Sequence, residues 1–153
     1  MDTTKMPTFV EKDLNYYLRM IRGDFSEVEE AHPMKIQNPS SPKNIVILLT
    51  SEYLGTGDEK IGKRLLKAFF QSLVNNQIIP RAVILMNSAV KLALNESEVF
   101  KFLNILEEKT VKVLLCALSV DEYQLEEKIK VGVLADMDSI LEHLLGAWKV
   151  IAL

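Results

Sequence analysis

One cysteine, Cys116, serves the whole chain of 153 residues, so no disulfide can form within it. A lone thiol fits a reducing, cytoplasmic setting and leaves one sulfur to explain. Histidine is nearly as scarce: His32 falls in the N-terminal part and His143 in an apparent helix, so neither supplies a general base beside Cys116. Asp136 and Asp138 have no His or Cys at ligand spacing, so the pattern predicts no metal site and no bound cofactor. Positive charge is not in excess: 18 Lys and Arg face 21 Asp and Glu, a net charge of −3, and no basic cluster suggests a nucleic-acid surface. No apolar run is long enough to cross a membrane. The opening MDTTKMPTFVEKDL lacks the apolar stretch of a signal peptide, and the expectation is a cytoplasmic protein that meets neither membrane nor nucleic acid. Glycines are few, and Gly55-Thr56-Gly57 is neither a dinucleotide fingerprint nor a P-loop. The third glycine is missing from its spacing, and no Gly-Lys-Ser/Thr follows.

What is present is apolar and periodic. Hydrophobic residues make up 48% of the chain, enough for a core. The organising stretch is Asn44 to Phe70, NIVILLTSEYLGTGDEKIGKRLLKAFF. Ile45 to Leu49 is a short, branched, continuous apolar run, as a strand covered on both faces requires. Gly55 to Gly57 breaks regular structure and Asp58 can cap a helix, in which Ile61, Leu65, Ala68, Phe69 and Leu73 predict the apolar stripe. Further strands are predicted at Arg81–Met86, Val111–Leu115 and Lys149–Leu153, with a shorter candidate at Val131–Leu134. Between them, Asn95 with Glu98 and Ser119 with Glu122 have capping-box spacing, and Asp138 and Gly146 bracket a last helix. Alternating strands and helices predict an α/β fold with a mainly parallel, layered sheet of about five strands and helices on both faces.

Residues 1–43 read differently. Val10 to Ile21 predicts a short helix, Met34 to Ile36 an edge strand, and Asn38-Pro39-Ser40-Ser41-Pro42 a linker. The expected division is an N-terminal arm over 1–43 and a domain over 44–153.

In open α/β sheets the working loops lie beyond the carboxyl ends of the strands. That rule selects Gly55, Thr56, Gly57 and Asp58 after the first strand, Asn87 and Ser88 after the second, and Cys116 with Ser119 after the third. The glycine loop could cradle an anion or simply form a turn and a cap. Cys116 is either a thiolate favoured by the start of a helix or a small buried residue at a strand end.

The segments IVILLTSEYLGTGDEKIGKRLLKAFF, VILMNSAVKLALNESEVFKFLNILEEKTVKVLLC and VGVLADMDSILEHLL carry a resemblance. In the order and spacing of its LGTGD loop, its MNSAVKL turn and Cys116, the stretch Asn44–Leu153 resembles the C-terminal domain of YedF-type proteins of the DsrE/DsrF-like family. The resemblance implies a three-layer DsrE-like sandwich and a homo-oligomer, whether dimer, trimer or hexamer. It also implies a place in sulfur relay or selenium metabolism, with Cys116 carrying persulfide between a donor and an acceptor protein. Two departures weigh against the relay. YedF-type proteins usually begin with a TusA-like domain bearing a Cys-Pro-x-Pro motif; here no cysteine and no such motif lies upstream of Cys116, and residues 9–37 could be an eroded remnant of that domain. Ser119 stands where the family often has a further cysteine, so two-thiol exchange within one subunit is excluded. Two functions follow: a sulfurtransferase-like carrier through Cys116, or a non-catalytic oligomeric binding module in which Cys116 is structural. A small-molecule or anion site at the glycine loop is a third.

Overall fold

The computed structural model of the chain describes residues 43–153. The expected arm helix, edge strand, linker and TusA-like remnant lie outside the described residues. Strand β1 (Lys43–Leu49) leads to helix α1 (Glu59–Val74) and strand β2 (Pro80–Leu85). A 3-10 segment (Asn87–Ala93), helix α2 (Phe100–Glu108), strand β3 (Lys112–Cys116) and the short helix α3 (Ala117–Glu122) follow. Strand β4 (Val133–Ala135), helix α4 (Met137–Leu145) and strand β5 (Lys149–Ala152) complete the unit. The five strands form one sheet in the order β4-β3-β2-β1-β5, and every pairing is parallel.

Successive strand residues point to opposite faces, and the two faces are covered unequally. Ile47, Leu49, Val83, Leu85, Val113 and Leu115 face a core filled by Leu66 and Phe70 of α1, Leu103 and Leu106 of α2, Val90 of the 3-10 segment and Val120 of α3. Val46, Ala82, Ile84, Leu114 and Cys116 face the other way, into a smaller cluster closed by Ile140 of α4. Chain order explains the asymmetry. Three successive crossovers move β1 to β4 in one direction across the sheet, and only the return from β4 to β5 carries a helix over the opposite face. No helix among the described residues is long and apolar enough to cross a membrane.

Several local expectations shift. The buried stripe of α1 is Gly62, Leu66, Phe70 and Val74, while the predicted Ile61 and Leu65 are 57% and 53% exposed. The stripe is displaced by one residue because Gly62 lets the preceding loop lie against the helix: a Cβ there would stand 2.6 Å from the Leu54 carbonyl oxygen. The Asn95–Glu98 capping box does not form. Helix α2 starts at Phe100 with no side-chain cap, and the local turn is instead held by Ser97 Oγ accepting from the Val99 N–H at 3.1 Å. The Ser119–Glu122 box does not form either, because α3 begins at Ala117 and places Ser119 inside the helix. The last helix is capped by Asp136, whose Oδ1 accepts from the Ser139 N–H at 2.8 Å, and Asp138 falls in its first turn.

Candidate functional site

The carboxyl rim of the sheet is built by the loops after β1, β2 and β3. Asp58 caps α1 as the sequence suggests, its Oδ1 accepting from the Ile61 N–H at 2.9 Å. Gly55 takes a φ of +80°, and a Cβ there or at Gly57 would meet nothing within 4 Å. Gly55, Thr56, Gly57 and Asp58 are all exposed. The loop is anchored by the Leu54 N–H donating to the Gly62 carbonyl at 3.1 Å. Substituting Gly62 by Ala should therefore cost stability although alanine is the better helix former. The methyl group must displace a backbone oxygen, and overpacking of about 1–3 kcal/mol outweighs a propensity gain of about 0.5–1 kcal/mol. Faster hydrogen exchange at the Leu54 amide, with α1 still protected, is the expected readout.

Asn87 and Ser119, picked from different loops, do meet. Asn87 follows β2 in the left-handed region, with φ +52°, a conformation asparagine tolerates better than most residues. Its backbone N–H donates to Ser119 Oγ at 2.9 Å, and its side-chain oxygen accepts from the Tyr123 hydroxyl at 3.0 Å. Lys91 lies 4.7 Å from the centre of the Tyr123 ring and 3.6 Å from Glu52, so one polar chain joins the loops after β1, β2 and β3. Sequence reasoning missed Tyr123, Lys91 and Glu52. Tyr123 stands four residues beyond Ser119, and that spacing on one helical turn was the signal available. Ser88 is half-buried beside this chain without entering it.

Cys116 occupies the predicted strand end but its side chain turns inward. It is 2% exposed and packs in the cluster with Val46, Ala82, Ile84, Leu114, Ala135 and Ile140. The thiol and the polar chain are thus on one rim but on opposite faces of the sheet: Val120 of α3 belongs to the first core and Cys116 to the second. His143 lies in the last turn of α4, where its Nδ1 is 2.8 Å from the Ser139 carbonyl. Among the described residues no group of three or more His, Cys, Asp and Glu could hold a metal ion.

A parallel sheet ordered β4-β3-β2-β1-β5, with helices on both faces, can be set against solved structures. The crystal structure of the ychN protein from E. coli matches with a TM-score of 0.51 and 20% identity, over 74% of this chain and all of that one. The fold is DsrE-like. A conserved protein of unknown function from Bacteroides thetaiotaomicron has the same TM-score of 0.51 at 15% identity, over 72% of this chain and 95% of its own. At such identities the likeness to these DsrE-like structures concerns the fold alone. No family model and no curated protein matches the chain.

Proposed function

We propose that this DsrE-like chain is a non-catalytic, homo-oligomeric binding module whose single thiol is a core residue. The observation that carries the reading is the position of the Cys116 side chain, 2% exposed among aliphatic neighbours on the thinly covered face of the sheet. A sulfur carrier must bring its thiolate to a donor persulfide, and a thiolate without water or a cation beside it is disfavoured. The functional surface in this reading is the polar rim of Glu52, Asn87, Lys91, Ser119 and Tyr123, with the glycine loop at its edge.

One observation favours the sulfur-relay reading suggested by the YedF resemblance: Cys116 ends β3 and occupies the cap position of α3, at the working edge of the sheet. In that reading the protein serves sulfur or selenium metabolism in the cytoplasm, and the thiol becomes reachable when the end of β3 opens. The two readings part in a labelling experiment. The native thiol is expected to resist alkylation until denaturant unfolds the domain, and a persulfide donor is expected to add nothing to the intact mass. A gain of one sulfur atom, about 32 Da, blocked by prior alkylation, would replace the module with the carrier.

A further inference from the structure

Between α1 and residues 91–99 lies a groove of about 360 Å³ whose floor is apolar, made by Leu92, Leu94 and Val99. Its rim carries Lys63, Arg64 and Lys91 against Glu52, Glu96 and Glu98. Most of these charges are already matched. Lys63 meets Glu59 at 2.7 Å, Lys91 meets Glu52 at 3.6 Å, and Glu98 meets Lys67 at 2.5 Å. The Lys67 ammonium, hydrogen-bonded to Glu98, holds that carboxyl below its usual range, so this closing pair stays charged. Among the described residues Arg64 and Glu96 enter no ion pair. Among the described residues the groove therefore offers one cation and one anion without an ion-pair partner above an aliphatic floor.

We infer that this groove binds a small zwitterion, a molecule with a carboxylate for Arg64, an ammonium for Glu96 and an aliphatic body for Leu92, Leu94 and Val99. A guanidinium suits a carboxylate because its parallel N–H groups can grip both oxygens. A simple anion would leave Glu96 facing it, and a simple amine would leave Arg64 facing it, so each half-ligand meets a like charge. An apolar floor with a few placed polar groups is the usual make-up of a small-ligand site. Such a site adjoins the polar rim through Lys91 and Glu52, which belong to both. The inference rests on the binding-module reading and names the ligand class for it.

The test uses the full chain and three probes of matched length: 6-aminohexanoate, hexanoate and hexylamine. Calorimetric titration is expected to give saturable binding of 6-aminohexanoate, at least about tenfold tighter than either half-ligand, a difference of about 1.4 kcal/mol. R64Q and E96Q replace exposed side chains, so both are expected to keep the wild-type circular dichroism and melting temperature while each weakens binding about tenfold or more. Absence of saturation by all three probes overturns the inference. So does zwitterion binding that neither variant changes, or hexanoate binding as tight as 6-aminohexanoate with E96Q silent. A thiol that resists alkylation in a protein that binds no probe would sink the groove and leave the module standing. A thiol that takes up sulfur would sink the module, whatever the probes do.

Discussion

Replacing Gly132 by Ala should cost about 2–5 kcal/mol, more than the same change at Gly62 or Gly57. Gly132 precedes β4 with φ +84°, a region that costs a residue with a Cβ about 1–2 kcal/mol. The added methyl would also stand 2.3 Å from Leu115 Cδ1 and 3.0 Å from Val113 Cγ1. Both neighbours belong to the main core, and Leu115 is fully buried, so neither side chain has an empty direction in which to yield. Overpacking of this kind costs about 1–3 kcal/mol more. The turn has a further role, since the Gly132 N–H donates to Glu107 Oε1 at 3.0 Å and ties β4 to the end of α2. Thermal unfolding is expected to fall by roughly 10 °C or more for G132A. Ala at Gly57, where a Cβ meets nothing within 4 Å, serves as the control and should change little. Equal melting temperatures for the two variants would refute the packing argument at Gly132.

How much of this was legible beforehand depends on the distance over which each feature is decided. Strands β1, β2 and β3 declare themselves because a strand buried on both faces must be largely apolar, and Ile45–Leu49, Ala82–Leu85 and Val113–Leu115 are short, branched apolar runs of that kind. Helix faces are another matter. Ile61 and Leu65 fit a stripe as well as Gly62 and Leu66 do, and hydrophobicity alone chooses the wrong row. The choice is made by the close approach of the Leu54 carbonyl and the Tyr53 side chain at Gly62, which no helical period encodes. The Ser119–Glu122 capping box failed for a related reason, beyond the start of α3 at Ala117. The Ser119 hydroxyl had a rival partner, the Asn87 N–H, which lies 32 residues away in sequence and 2.9 Å away in space.

The site divides along the same line. Strand ends located Asn87, Ser119 and Cys116, because the rule for the carboxyl rim of a parallel sheet is topological. Which face each side chain takes was decided by register. Cys116 shares the pleat of Leu114, two residues earlier, and so follows it into the smaller cluster rather than toward the polar chain at Ser119. Parity along β3 carries that information once the faces are known, but the sequence does not state which face α4 will cover.

The thin cover on that second face leads to the other large expectation. Met137, Leu141 and Leu145 repeat every four residues along α4, all of them exposed, and Leu145 and Trp148 reach 78% and 77%. Val150 on the neighbouring edge strand is aligned with Val46 and so faces the same side. Exposed apolar side chains clustered in this way are a mark of an interaction surface, and we propose a second copy of this chain as its cover, since its charges suit one. Asp136 and Asp138 lie at the start of α4, with Lys149 beyond its end. A two-fold axis would run two α4 helices antiparallel and bring the acidic start of each toward the lysine of the other. Burying a large apolar side chain contributes about 1.5–3 kcal/mol, and two-fold symmetry counts every residue twice. Changing Leu145 and Trp148 together to Glu should therefore weaken association by several orders of magnitude and leave a 17.4 kDa monomer in light scattering. Fluorescence supplies a second reading, because Trp148 is the only tryptophan: its emission in the wild type should shift to the red on dilution as the surface is uncovered. A wild-type chain that is already monomeric at roughly 0.1 mM, well above the range of a specific interface, would remove the second copy from consideration.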